Sequence, residues 1–113
     1  MSTQEILDIV VEWFSRARAA SLELPKGWFG RPMDNLHQLT WSAALQHKVL
    51  LELDHQVLLI MTEPQRADAS DTELRIDGSA SVALDWQEYG NMVAHVDDQG
   101  RGTVRFVCLV PHG

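Results

Sequence analysis

Apolar side chains recur at every second position after His37, and this alternation constrains the fold more than any other feature. Three runs, at residues 39–45, 49–53 and 57–61, have this pattern. Because successive side chains of a strand point to opposite faces, each run predicts a β-strand. Similar runs at residues 72–77, 80–87, 92–96 and 103–110 complete a predicted antiparallel meander of about six strands.

The second and third runs are apolar at the intervening positions as well, which predicts that their hairpin lies in the centre of a sheet. A tight turn at Asp54 and His55 would place Leu51 opposite Leu58. A two-residue turn prefers glycine, so a longer loop is the alternative. A hairpin with two apolar faces needs cover on both, and one helix covers only one. The pattern is therefore compatible with a homodimer.

The connections between the later runs are marked by polar and glycine residues. Residues 64–72 are small and polar, which predicts a loop. Asp77 and Gly78 predict a turn, and a three-residue loop there would pair Leu74 with Val82 and keep the apolar face intact. Residues 97–102 predict the last turn.

The N-terminal segment predicts a single amphipathic helix. Ser2 and Glu5 have the spacing of a capping box, which satisfies free amide groups at a helix start. Apolar residues then follow at helical spacing: Ile6, Ile9, Val10, Trp13, Phe14 and Ala17. One helix followed by strands predicts an α+β fold in a single domain, residues 1–113, with the helix packed on a curled antiparallel sheet. A sheet curled almost into a barrel is the alternative.

The charge of the chain limits its partners. The formal net charge is −7, and nine carboxylates lie between residues 62 and 98 against two arginines. Such a chain repels phosphate groups, so nucleic acid and anionic membrane surfaces are not predicted partners. The acidic side chains form either a solvated face or a surface for a basic partner.

Cysteine usage and hydropathy predict a cytoplasmic location. The single cysteine, Cys108, alternates with apolar residues and is predicted to be a buried, unreactive thiol. The acidic N-terminal run does not resemble a signal peptide. No apolar stretch approaches the roughly 20 residues that span a bilayer.

Residues 27–37, called here loop 27–37, combine glycines, aromatic rings, charges and a histidine more densely than any other segment. In one interpretation Arg31, Asn35 and His37 converge on a small anionic or polar ligand, walled by the two aromatic rings. In the other the rings plug the core, Arg31 pairs with a carboxylate and His37 is a core histidine. The candidate residues of this loop are Trp28, Phe29, Arg31, Asp34, Asn35 and His37.

A second candidate surface surrounds Trp86 and Tyr89, where two aromatic residues stand beside carboxylates at a strand end. Tyrosine and tryptophan are favoured in protein interfaces. The alternative is that Trp86 lies in the core with Tyr89 capping it.

The sequence contains no motif for a catalytic nucleophile, a phosphate-binding loop or a dinucleotide site, so no catalytic residue and no cofactor are predicted. The five histidines lack the spacing of a structural zinc site. A metal site formed by His37, His95 and carboxylates is compatible with the predicted fold, but we do not predict one.

The run from Leu24 to Asn35 resembles a Leu-Pro-x-Gly-Trp-Phe-Gly-Arg-Pro-x-Asp-Asn motif of a family of small, uncharacterised bacterial proteins with a β-rich body. The later run Asp85-Trp86-x-x-Tyr89-Gly90 is similar to the end of that body, as is Val104-Arg105-Phe106-Val107. The resemblance implies one domain and carries no activity.

We therefore predict a non-enzymatic domain that binds a partner protein or small polar ligand through loop 27–37 or the Trp86–Tyr89 surface. One alternative is an acidic immunity-type protein that masks a basic toxin. Another is a small hydrolase or isomerase centred on Arg31, Asp34 and His37.

Overall fold

The structure is a computed structural model that describes residues 1–31 and 35–108. Its one helix, α1 (Thr3–Ala17), begins with the predicted capping box. The Ser2 hydroxyl accepts a hydrogen bond from the Glu5 amide, and the Glu5 carboxylate accepts one from the Ser2 amide, both at 3.1 Å. The backbone and side chain of Ser2 hold the pKa of Glu5 below its ordinary value. One face of α1 is buried: Ile6, Leu7, Val10, Trp13, Phe14 and Ala17.

Eight strands form one antiparallel sheet, so the predicted α+β fold is confirmed and the predicted count of about six is too low. In chain order they are β1 (Ser21–Leu24), β2 (Gly27–Phe29), β3 (Leu39–Leu45), β4 (Lys48–Leu53), β5 (Val57–Thr62), β6 (Arg66–Ala69), β7 (Glu73–Glu88) and β8 (Asn91–Val107). The spatial order is β2-β1-β8-β7-β5-β4-β3, with β6 paired to β7. The helix packs against β3, β4, β6 and β7.

The sheet is curled but is not closed into a barrel. Ala20 and His37 form an isolated antiparallel bridge in which each amide donates to the other residue's carbonyl, at 3.0 and 2.8 Å. Ala20 precedes β1 and His37 precedes β3, and these strands lie near opposite ends of the strand order. The bridge therefore places His37, the last residue of loop 27–37, beside the start of both strands.

Two long strands replace the turns predicted at Asp77-Gly78 and at residues 97–102. Both sites lie inside strands, and the predicted pairing of Leu74 with Val82 is wrong because Leu74 lies opposite Phe106. Gly78 (φ 78°) and Gly100 (φ 101°) have left-handed backbones, and the β7–β8 register shifts around Ser79. Glycine at positive φ occurs in β-bulges as well as in turns, so the glycines at these two sites wrongly predicted turns.

The hairpin of β4 and β5 is central, as predicted, because it lies between β3 and β7. Of the two predicted alternatives for its turn, the structure has the longer loop: Leu53 lies opposite Val57, so three residues form the loop and Leu51 faces Leu59. Asp54 (φ 56°) and His55 (φ 57°) supply its left-handed turn. This register keeps one completely buried face: Val49, Leu51, Leu53, Val57, Leu59 and Met61.

Three short strands, β1, β2 and β6, lie where the sequence predicted no strand. The β1–β2 hairpin takes up part of loop 27–37, and β6 lies within the predicted loop of residues 64–72. Only Ala67 of β6 is buried, so the strand has too little apolar alternation to be recognised.

The core lies between α1 and the concave side of the sheet. Phe14 packs edge-on against Phe106 with ring centroids 4.9 Å apart, and Trp13 donates from Nε1 to the Ser70 carbonyl at 2.8 Å. Cys108 is buried beside this core. No helix in the described part of the chain is long and apolar enough to span a bilayer.

Candidate functional site

His37 is the best-buried polar residue of loop 27–37, with 6% of its surface exposed. Its Nδ1 lies 2.7 Å from Oδ2 of Asp54, and Oδ1 of Asp54 accepts a hydrogen bond from the Gln38 amide at 2.8 Å. The bridge to Ala20 fixes its backbone. The Nε2 atom is buried and has no hydrogen-bond partner among the described residues.

Phe29 joins the two candidate surfaces that the sequence presented as separate. Its ring packs at 5.5 Å from the His37 ring and edge-on at 5.6 Å from the ring of Trp86. Trp86 is half-buried and lies opposite Ala94 and Val57. His37, Phe29 and Trp86 therefore form a continuous stack from the β4–β5 loop to the outer part of β7.

The other described candidate residues of the loop, Trp28, Arg31 and Asn35, are exposed, in contrast to the buried His37. Trp28 is 38% exposed and its ring faces the Arg105 guanidinium at 5.9 Å. Asn35 lies against Gly30, whose φ of 80° and close contact leave no room for a Cβ. Asp34 lies outside the described residues.

An arginine-lined hollow of about 530 Å³ adjoins the β1–β2 turn. Arg75 and Arg105 lie directly opposite each other in β7 and β8. Their charges are already balanced, because Arg75 lies 3.2 Å from Asp77 and Arg105 lies 3.2 Å from Glu23. The third arginine of the hollow, Arg101, donates to the Gly78 carbonyl at 3.0 Å.

The outer end of the β7–β8 hairpin carries the most exposed aromatic residue of the described chain. Tyr89 is 99% exposed, and Met92 and Val93 beside it are about half exposed. We call Trp86, Tyr89, Met92 and Val93 the hairpin tip. Tyr89 (φ 53°) and Gly90 (φ 80°) form the left-handed turn that projects it. Tyr89 thus does not cap Trp86.

Two carboxylates, Asp85 and Glu88, lie close to the hairpin tip in the β7–β8 pairing. Residues 79–100 contain Asp85, Glu88, Asp97 and Asp98 but no lysine or arginine. Asp85 contacts His95 across the hairpin. Asp98 is buried and lies 3.4 Å from Lys26. Asp97 and Asp98 lie further from the tip, opposite Ala83 and Val82, so the tip combines exposed apolar surface with two nearby carboxylates.

Sequence reasoning missed three residues of this region. Asp54 was considered only as part of a turn, and nothing in its neighbourhood indicated that it would reach His37. Met92 and Val93 were assigned to a short strand without regard to exposure. The absence of lysine and arginine from residues 79–100 was a signal that could have drawn attention to them.

Within the described residues, no group of three or more histidine, cysteine, aspartate or glutamate side chains is placed to hold a metal ion. Comparison of the chain with protein-family models, curated proteins and solved structures finds no match.

Proposed function

We propose that this chain is a non-enzymatic protein-binding domain that contacts a basic partner protein through the hairpin tip. One observation carries the proposal: half to fully exposed apolar side chains stand in a segment with four carboxylates and no lysine or arginine. Exposed apolar patches with a polar rim mark interaction sites.

The composition of the tip suits an interface. Tyrosine and methionine are enriched where proteins bind, and a fully exposed tyrosine gains the most from burial against a partner. The carboxylates would speed encounter with a positively charged surface. The apolar contact and the electrostatic attraction both act at the hairpin tip, which favours the tip over loop 27–37 as the contact surface.

Loop 27–37 has a positioning role in this proposal. The Phe29 ring supports Trp86 from beneath, and Asp54 holds His37 against Phe29. A small polar ligand at the loop is less well supported, because His37 is buried while Arg31 and Asn35 are exposed. The same burial disfavours the hydrolase or isomerase alternative, since Nε2 of His37 is not accessible to a substrate.

An immunity-type protein that masks a basic toxin is the second candidate, and the two carboxylates near the tip favour it. A neighbouring gene for a basic toxin would support this narrower role. The resemblance to the small bacterial family remains a prediction and adds no activity. The single buried thiol supports a cytoplasmic location.

Site-specific photo-crosslinking tests the proposed function. A photoreactive residue at position 89 should crosslink to one dominant protein, whereas the same residue at Val11, which is 42% exposed on α1, should not. Affinity for the purified partner should then fall about tenfold or more in Tyr89→Ala, since interface hot spots contribute above about 1 kcal/mol.

The matched control is Val11→Ala, which removes an exposed apolar side chain on α1, away from the hairpin tip. It should leave the affinity unchanged. Equal crosslinking at positions 11 and 89, or an affinity that does not respond to Tyr89→Ala and Met92→Ser, would refute binding through the tip.

A further inference from the structure

Strand β3 ends the spatial order of the sheet, and within the described ranges only β4 pairs with it. Its sequence, Leu-Thr-Trp-Ser-Ala-Ala-Leu, contains no charged residue and no proline. Exposed edges of natural sheets are usually protected by such residues, because their free amides and carbonyls can pair with another chain. Beyond the register shift between Leu39 and Trp41, the segment from Trp41 to Leu45 has neither a charge nor a proline to protect it.

The two faces of β3 differ. Ser42 and Ala44 lie opposite the buried Leu51 and Val49, so they point toward the core. Trp41, Ala43 and Leu45 therefore point to the opposite, outer face. Trp41 is 48% exposed and Leu45 is 55% exposed.

The outer face continues inward from β3 as apolar surface. Ala43 lies opposite Leu50, which in turn lies opposite Ile60. Leu50 and Ile60 are both half-buried, although α1 packs on the inner face of the sheet and not on this outer face. The apolar pattern that sequence analysis found on both faces of the β4–β5 hairpin thus reaches an open edge.

The composition of this edge lets a second copy of the chain pair with it without bringing like charges together. The chain has a net charge of −7, so two copies repel at most orientations. An edge without charges places no like charges opposite each other. A basic partner, in contrast, would gain nothing from an uncharged strand and is attracted to the hairpin tip instead.

We propose that β3 pairs with β3 of a second copy of this chain in an antiparallel, two-fold symmetric dimer centred on Ala43. In this register Trp41 of each copy lies opposite Leu45 of the other, on the outer face. Aromatic and aliphatic residues that face each other across strands stabilise a sheet. A two-fold axis supplies the pair twice, as in any isologous interface.

Sedimentation equilibrium with the full chain tests the dimer. The wild-type chain should show a monomer–dimer equilibrium. Ala43→Lys and Ala43→Glu should each shift it to monomer, because the two-fold axis places two like charges directly opposite each other. An equimolar mixture of the two variants should recover dimer, since lysine then faces glutamate.

The matched control is Val93→Lys, which adds the same charge at the hairpin tip and should leave the dimer intact. Circular dichroism should show that each variant is folded. A wild-type chain that stays monomeric at all concentrations, or a dimer that survives Ala43→Lys, would overturn the proposal. Loss of dimer in Val93→Lys would do so too, by placing self-association at the tip. Failure of the Lys–Glu mixture to associate would reject the register. None of these results depends on binding of a basic partner.

Discussion

Nδ1 of His37 lies 2.7 Å from Oδ2 of Asp54, which connects the chain entering β3 to the loop between β4 and β5. Asp54 holds a left-handed backbone at this position and also accepts the Gln38 amide. One carboxylate therefore orients both the imidazole and the backbone that follows it. A side chain held from so many directions is characteristic of structural support.

Replacing His37 should destabilise the fold. His37→Ala removes the bond to Asp54 and leaves a gap beneath Phe29, so the free energy of unfolding should fall by about 2 kcal/mol. Urea denaturation measures the change. The control is His55→Ala, whose side chain is 80% exposed, and the expected change there is within about 0.5 kcal/mol. Equal effects would show that His37 is not structural.

The contact between Phe29 and Trp86 should appear as an energetic coupling. In a double-mutant cycle of Phe29→Leu and Trp86→Leu, we expect the double variant to be less destabilised than the sum of the single variants, by about 1 kcal/mol. Phe29→Leu combined with Val11→Ala, on the exposed face of α1, should be additive. An additive Phe29–Trp86 cycle would mean that loop 27–37 does not support the tip.

Gly30 and Gly90 share a φ of 80°, but only Gly30 has a neighbour in the space of a Cβ. Both alanine variants should lose roughly 1 kcal/mol from the left-handed backbone, and Gly30→Ala should lose more through overlap with Asn35. Adding Asn35→Ala should return Gly30→Ala to the Gly90→Ala value, as judged by thermal unfolding. If Gly30→Ala remained less stable than Gly90→Ala in the presence of Asn35→Ala, Asn35 would be excluded as the cause.

The contribution of Asp77 to stability should depend on pH. Burial raises its pKa, but hydrogen bonds from Thr103 and Arg66 and the charge of Arg75 outweigh burial and hold the pKa below the ordinary 3.8. A pKa lowered on folding stabilises the protein above the unfolded value, and the stabilisation is lost as pH falls through the folded one. The stability gap between wild type and Asp77→Asn should therefore shrink below pH 3.8. Asp71→Asn, at an 83% exposed side chain, should show no such trend in acid titrations followed by circular dichroism.

The sequence predicted those helices and strands whose own residues show a capping or alternation pattern. The capping box at Ser2 and the alternation in β3, β4 and β5 are local patterns, and the structure has them. The continuity of β7 through Gly78 depends on β8 and β6 lying beside it, which no local pattern records. Positive φ at glycine fits a turn and a bulge equally well, and only the neighbouring strands decide between them.

The candidate site was predictable in its members but not in its arrangement. Phe29, His37 and Trp86 were all selected from their chemistry. Their contact depends on the curl of the sheet and the bridge at Ala20, which bring residues far apart in sequence together. Asp54 was missed for the same reason, because its partner lies 17 positions earlier in the chain.

The pairing of β1 with the far end of β8 dictates when this protein can fold during synthesis. Leu22 lies opposite Phe106, so the two must wait until nearly the whole described chain has left the ribosome. The β4–β5 hairpin joins neighbouring segments and can form early, whereas closing a loop of such length is slow. Strands β3 and β4 can cover part of the apolar face of α1 earlier, but a nascent chain stalled before residue 105 still lacks Phe106 and leaves the ring of Phe14 without this partner.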